Sequence, residues 1–278
     1  MVAGGDCIDD TDVLRAGATE AVLGHRVMAP STCGTFLRAF TFGHVRQLDR
    51  WSEFALAGAW AAGAGPGPAP MTIDIDSTIC RTHGYAKQGA TFGYPHKRGY
   101  HPLVATRADT GEILHVRFRK GSANTGRGAQ RFVRELVGRV RRAGATGPLT
   151  LRADSGFWSR HIIKACRDHD IRYSITVNQN RFVATAIANI DHDAWRSIDC
   201  TLGGRAEVAE CHYGDGHRLV VRRTRILGAQ AELFANWRHH AFITDRPGTT
   251  AALDADHRPH AQVPLCQPLV RRVGQPIC

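Results

Sequence analysis

Paired cysteines and long apolar runs are both missing from this 278-residue sequence. Its eight cysteines occur singly and without C-x-x-C spacing, which argues against a zinc ribbon and a disulfide framework. No apolar run approaches the ~20 residues of a membrane span, and no charged and then apolar signal segment follows Met1. Glutamate is absent after Glu232. The first three absences predict a reduced, cytoplasmic protein with no membrane association.

Positive charge is abundant and concentrated in one part of the chain. Lys and Arg number 36 against 25 acidic residues, which gives a net charge of +11 and a pI near 9.7. Residues 97–142 contain twelve basic residues and three acidic ones. Such a field suits a polyanion, and the planar fork of arginine suits phosphate in particular. The alternative is a solubilising surface without a specific partner.

The segment MTIDIDSTIC, Met71 to Cys80, carries two acids at alternate positions. In a β-strand, period-two geometry places Asp74 and Asp76 on the same face. Buried carboxylates cost several kcal/mol unless a cation or hydrogen-bond donors compensate them. The segment therefore predicts a metal or phosphate-handling site. The simpler alternative is a strand end that reaches solvent.

A second acid ends a later strand. Residues Pro148 to Asp154 read PLTLRAD and are followed by a Ser-Gly turn. The predicted order of elements from Met71 to Val177 is strand (Asp76), strand, strand, helix, strand (Asp154), helix, strand. We expect Asp76 and Asp154 to converge at one edge of a mixed sheet, although they are far apart in the sequence.

Composition divides the chain into six predicted segments. Residues 61–70, AAGAGPGPAP, read as a linker because small residues and proline interrupt the pattern. The predicted segments are a helical N-terminal region (1–60), the linker (61–70), an α/β core (71–177), a β-rich insertion (178–238), a return to the core (239–258) and an irregular tail (259–278).

Five strings together resemble the transposases of bacterial insertion sequences in the DDE superfamily. They are DIDST (74–78), KQGATFGYPHKRGYHPL (87–103), TGE (110–112), LRADSGF (151–157) and FITD followed by DADHR (254–258). The resemblance narrows to the group that carries a β insertion between its second and third catalytic acids. It implies an RNase H-like mixed sheet with flanking helices, the β insertion and a helical N-terminal region.

The resemblance also implies the chemistry of the site. Three carboxylates would hold two Mg²⁺ or Mn²⁺ ions that act in cleavage and transfer of DNA strands. Asp76 and Asp154 match the first two catalytic acids, and Asp74 is a further candidate at the metal. The implied partner is double-stranded DNA, both transposon ends and target, bound by a homodimer associated with the nucleoid. The candidate DNA contacts are Lys97, Arg98, Arg117, Arg119, Lys120, Arg127 and Arg131.

The C-terminal region departs from the family pattern. A third acid, a glutamate on a helix, is expected shortly after DADHR, but this stretch reads HAQVPLCQPLVRRVGQPIC. The sequence therefore predicts a copy truncated or frameshifted near Gln262 and defective in strand transfer, with Met1 as an internal start. Asp245, Asp254 and Asp256 are weaker candidates for the third acid.

Two other functions remain open at this point. A DNA-binding remnant would keep the basic contacts without catalysis. A phosphatase of the haloacid dehalogenase type would use the D-x-D-x-T loop, with Asp74 as the nucleophile and Asp76 as the general acid. Such an enzyme also needs a positioned lysine and a later acidic pair, and neither is evident.

Overall fold

A computed structural model describes residues 7–82, 87–93, 96–200, 204–225 and 237–262. Contacts divide the chain into two compact units, whose described parts are residues 7–56 and 57–262. The N-terminal region is helical, as the sequence predicts, and α3 begins at a proline, whose fixed φ suits the first helical position. Its helices are α1 (Thr11–Arg15), α2 (Thr19–Leu23), α3 (Pro30–Arg38) and α4 (Phe42–Ala59).

The second unit is built on a nine-stranded mixed sheet. Its strand order is β6-β5-β1-β7-β8-β12-β11-β10-β9. The strands are β1 (Met71–Ser77), β5 (Leu103–Arg107), β6 (Ile113–Arg117), β7 (Leu149–Ala153), β8 (Arg172–Thr176), β9 (Arg196–Ile198), β10 (Arg205–Tyr213), β11 (His217–Arg225) and β12 (Arg238–Thr244); a separate three-stranded sheet contains β2 (Cys80–Arg81), β3 (Thr91–Phe92) and β4 (Arg98–Tyr100).

The first five strands of the large sheet give the core its topology. β6, β5 and β1 pair antiparallel, whereas β1, β7 and β8 pair parallel. This is the RNase H-like arrangement that the resemblance implies, and the strands of the large sheet and the helices follow the predicted order; the short strands β2, β3 and β4 were not predicted. Parallel neighbours need a crossover, and α5 and α6 supply the two crossovers here. The helices of this unit are α5 (Ala129–Ala143), α6 (Arg160–Asp168), α7 (Arg181–Ala188) and α8 (Thr250–His257).

The apolar stripe of α5 forms much of the core under the sheet. Phe132, Val133, Leu136 and Val140 recur at helical spacing and are fully buried. The sheet contributes Ile73 and Ile75 from β1 and Leu149 and Leu151 from β7, which share one face of the sheet and are each 1% exposed. Burial of each such side chain contributes about 1.5–3 kcal/mol, so this packing fixes the positions of the strands.

The β-rich insertion is continuous with the core sheet. β12 pairs with β8 on one side and with β11 on the other, both antiparallel, so the inserted strands extend the sheet. An unpaired β12 would expose a row of backbone hydrogen-bonding groups, and β11 covers that edge. Within the insertion, the Arg223 guanidinium lies 3.9 Å from the centre of the Trp195 ring and 4.5 Å from that of Trp237. Both tryptophans therefore make cation–π contacts with Arg223.

Candidate active site

The two predicted acids lie side by side. β1 and β7 are parallel neighbours whose register runs from Met71↔Leu149 to Ile75↔Ala153. Asp76 and Asp154 directly follow Ile75 and Ala153, so they occupy adjacent positions at the carboxyl ends of the two strands. Neighbouring strands are about 4.8 Å apart, which is close enough for two carboxylates to share a cation.

Each of these carboxylates accepts a hydrogen bond from a nearby backbone amide. The Ser77 N–H donates to Asp76 Oδ1 at 2.6 Å, and the Gly156 N–H donates to Asp154 Oδ1 at 3.0 Å. Burial and then the negative charge of Asp76 raise the pKa of Asp154 above its usual range. The acids therefore repel one another, and a bound cation would relieve that repulsion.

A buried ion pair lies two residues before the acids, on the same face of the sheet. Arg152 stands opposite Asp74 in the parallel register, and its Nε and Nη2 donate to Asp74 Oδ1 and Oδ2 at 2.6 and 2.8 Å. The two residues are 3% and 2% exposed. A bidentate pair of this kind is the strong form of arginine–carboxylate contact.

Two residues from the C-terminal part of the described chain, Asp256 in α8 and His260 after it, contact this pair. His260 Nδ1 lies 3.0 Å from Asp74 Oδ1, and Arg152 also donates to the backbone carbonyl of Asp256. Burial alone would raise the pKa of Asp74, but the hydrogen bonds from Arg152 and His260 outweigh it and lower that pKa. Asp74 is therefore a charged residue whose two oxygens already have partners. Its predicted place at the metal is less favourable than that of Asp76 or Asp154.

The weaker candidates for a third acid have other partners. Asp245 accepts from the Tyr173 backbone N–H at 2.9 Å. Asp254 is buried beside Arg222 and Arg258, at 3.8 and 3.3 Å, and Asp256 pairs with Arg246. The stretch in which the family pattern expects its glutamate falls largely in residues 263–278, outside the described residues.

The donor chemistry of the acid pair suits a hard divalent cation, since Mg²⁺ and Mn²⁺ prefer carboxylate oxygens. Two adjacent carboxylates, each held by a backbone amide, supply donors of this kind. Among the residues described by the structure, however, no group of three or more His, Cys, Asp or Glu side chains could hold a metal. Asp76 and Asp154 can therefore supply two of the ligands that a divalent cation needs.

The predicted DNA contacts divide into two classes. Lys97, Lys120, Arg127 and Arg131 are exposed, and the last of these pairs with Glu135 at 2.8 Å. The others are occupied by protein groups: Arg98 donates to the Ala90 carbonyl, Arg117 pairs with Glu135, and Arg119 donates to four backbone carbonyls (His101, Asn124, Thr125 and Arg127).

The phosphatase alternative conflicts with this geometry. A nucleophilic carboxylate must reach its substrate. Asp74 is 2% exposed and both of its oxygens accept from Arg152. Asp74 in the D-x-D-x-T string is therefore not placed to reach a substrate as a nucleophile.

Comparison with known protein families decides the classification. The family described as "Transposase DDE domain group 1" matches residues 1–225, which is most of the chain. The chain belongs to this transposase family. The match contains both acids, the basic segment and most of the insertion of this DDE transposase chain. No helix among its described residues is long and apolar enough to cross a membrane.

Comparison with curated proteins found no match for this DDE transposase chain. Among solved structures, the piggyBac transposase synaptic complex with hairpin DNA is 14% identical, with a TM-score of 0.48, over 73% of this chain and 40% of that one. The Mos1 mariner paired-end complex with Mn is 12% identical, with a TM-score of 0.27, over 60% and 55%. The chain thus spans about half the length of these neighbours or less.

Sequence reasoning missed two residues of the site. The first is Arg152, and the spacing contained its signal: Asp74 and Arg152 are separated by the same 78 positions as Asp76 and Asp154. In a parallel pair, equal separation means adjacent rows on the same face. The second is His260, which lies beyond α8 and had no detectable signal.

Proposed function

We propose that this chain carries the catalytic unit of a DDE transposase, which cleaves and joins DNA strands. Asp76 and Asp154 would hold the divalent metal of this unit. The observation that supports this most directly is the adjacency of the two acids at the ends of parallel β1 and β7. Family membership adds the reaction class.

Asp76 and Asp154 would hold Mg²⁺ or Mn²⁺, with two ions in a complete site. Bound ions of this kind activate the attacking oxygen and stabilise the leaving oxygen of a phosphodiester. The chain's own contribution is to fix the carboxylates: the Ser77 and Gly156 amides orient one oxygen of each acid. Since no third carboxylate joins them among the described residues, we expect weak metal binding and slow cleavage.

In this proposal Asp74 is a structural partner of Arg152 and not a metal ligand. Its bidentate pair joins β1 to β7 directly behind the acids. Arg152 also bonds to the Asp256 carbonyl, so the row ties the end of α8 to the same two strands. A displaced Arg152 would shift the acids relative to one another.

The exposed basic residues supply the contacts to double-stranded DNA. Lys97, Lys120, Arg127 and Arg131 carry charge that phosphate can reach, and such contacts add affinity without reading sequence. Arg98, Arg117 and Arg119 bond to protein groups and so stabilise the segments that carry the four exposed residues. Binding of transposon ends and target by two copies of the chain, and association with the nucleoid, are parts of the same proposal.

Nicking of supercoiled plasmid DNA tests this function. We expect the chain to convert supercoiled to open-circular DNA slowly in Mg²⁺ or Mn²⁺ and not in a chelator. Asp76→Asn and Asp154→Asn should abolish the conversion, whereas Asp109→Asn, an exposed acid paired with Arg107, should not. DNA binding without metal-dependent nicking would support the DNA-binding remnant instead.

A further inference from the structure

Residues 118–128 form the loop that joins β6 to α5, and Thr125 in this loop lies against both acid-bearing strand ends. Thr125 Oγ1 is 3.2 Å from Ser77 Oγ, at the end of β1. On the other side, a Cβ added to Gly156 would lie 2.9 Å from both Cβ and Cγ2 of Thr125. One side chain therefore contacts the residue after Asp76 and closely approaches the turn after Asp154.

These two neighbours are also the residues that orient the acids. Ser77 supplies the amide that donates to Asp76, and Gly156 supplies the amide that donates to Asp154. The parallel pairing of β1 with β7 ends at Ile75↔Ala153, one residue before the acids. Asp154 therefore lies beyond the last paired residue of its strand, and the turn that holds its carboxylate packs against Thr125.

Arg119 holds this loop in one conformation. Its guanidinium donates to the carbonyls of His101, Asn124, Thr125 and Arg127 at 2.8 to 3.1 Å. The Asn124 side chain accepts from the Arg127 N–H, and His101 Nδ1 lies 2.6 Å from the Ala123 carbonyl. Burial lowers the pKa of Arg119 to about 10, so it stays charged at neutral pH. A compact lysine ammonium could not reproduce this forked set of bonds.

We propose that Thr125 is a positioning residue of the acid pair. It sets the separation of Asp76 and Asp154 through Ser77 and Gly156, and Arg119 fixes the loop that presents it. This inference deepens the proposed function and rests on it for the purpose of the acid pair. The positional claim itself concerns the metal-free protein and can be tested there.

Hydrogen exchange of individual amides in the full chain provides that test. We expect Thr125→Gly to raise the exchange rates of the Ser77 and Gly156 amides at least about tenfold, without a comparable rise in α5 or β8. Thr110→Gly, an exposed turn threonine, is the matched control and should leave both rates unchanged. Unchanged rates in Thr125→Gly, or an equal rise throughout the core, would overturn the proposal.

Two further variants separate positioning from a general loss of packing. Gly156→Ala places a methyl group against Thr125 and should raise the same two exchange rates. Thr125→Gly removes every Thr125 atom that this methyl would meet, so Gly156→Ala should raise the two rates in the wild-type background and add little to the rise already caused by Thr125→Gly. Thr125→Ser keeps the hydroxyl contact with Ser77 and should preserve the Ser77 rate, whereas Thr125→Val should not. Fully additive rises in the double variant, together with equal Ser77 rates in Thr125→Ser and Thr125→Val, would contradict the proposal.

Titration with Mn²⁺ links the inference to the function. If the wild-type chain binds Mn²⁺, Thr125→Gly should weaken the affinity about tenfold, as changes next to metal ligands commonly do. An affinity equal to wild type would show that Thr125 does not position the acids. If the wild-type chain binds no Mn²⁺, the proposed function fails, and the exchange rates still decide the role of Thr125.

Discussion

The buried pair of Asp74 and Arg152 allows a quantitative test of the strand register. Arg152→Met would leave the Asp74 carboxylate 2% exposed and without its bidentate partner, with His260 as the remaining side-chain donor. Removal of one partner of a buried ion pair costs about 3–5 kcal/mol, because the other charge stays buried. For a unit of this size that loss lowers Tm on the order of 10 °C.

The assay is equilibrium unfolding in urea at neutral pH. Arg131→Met is the matched control, because the Arg131 side chain is 75% exposed in an i,i+4 pair with Glu135. Such a pair contributes only about 0.3–0.5 kcal/mol, and the control should unfold almost as wild type. The double variant Asp74→Asn with Arg152→Met removes both charges, so it should be more stable than Arg152→Met alone by roughly 2 kcal/mol.

Two results would refute this reasoning. One is a cost below about 1 kcal/mol for Arg152→Met, which is the upper end of the usual contribution of an exposed pair. The other is a double variant that is less stable than Arg152→Met, which would mean that the Asp74 charge was not the source of the cost.

Three further predictions concern the loop, the buried histidine and the small sheet. Arg127→Gln should reduce the magnitude of the slope of log K for DNA binding against log salt concentration by about 0.9, with Tm unchanged. Arg119→Gln should lower Tm and leave that slope unchanged. The reverse result would place Arg119 on DNA. Burial lowers the pKa of His257 to about 2, so below pH 6.5 the unfolded chain binds a proton that the folded chain does not. Wild type should therefore lose about 2 kcal/mol more than His257→Gln between pH 7 and pH 5, measured by urea unfolding, and equal losses would contradict this. Gly121→Ala would place a methyl group 2.2 Å from the Thr91 carbonyl oxygen and should lower Tm. Gly58→Ala in α4 meets no atom within 4 Å and should raise stability by about 0.5–1 kcal/mol. Similar Tm values for the two variants would show that β3 moves to accommodate the methyl group.

Much of the core was predictable because short strands with buried faces have a clear period. The acids Asp76 and Asp154 each follow an apolar strand, and parallel strands bring their carboxyl ends to one edge of a sheet. The same pattern predicted the two strands that follow the Asp76 strand in the large sheet, β5 and β6.

The partner of Asp74 was not predicted, although its register is implied by that of Asp76. A single sequence shows that two strands exist but does not state which residues pair across them. Once Asp76 is placed beside Asp154, Arg152 must stand beside Asp74, since register is shared along the strand. The buried acid then needs no metal to compensate its charge.

The basic segment was counted correctly but could not be divided by sequence alone. Arg119 and Arg127 look alike in composition, yet one donates to backbone carbonyls and the other is exposed. Carbonyl acceptors belong to every residue and leave no trace in the sequence. The extension of the sheet by the insertion was hidden for the same reason, because edge pairing depends on backbone groups.

Direct measurement of Mn²⁺ binding tests the central claim, that Asp76 and Asp154 together hold a divalent metal. Free Mn²⁺ can be followed by electron paramagnetic resonance during titration of the full chain, with Asp168→Asn, an exposed acid, as the control. We predict that wild type and the control bind alike, and that Asp76→Asn and Asp154→Asn each weaken binding at least about tenfold. Equal affinity in all four proteins would contradict the claim.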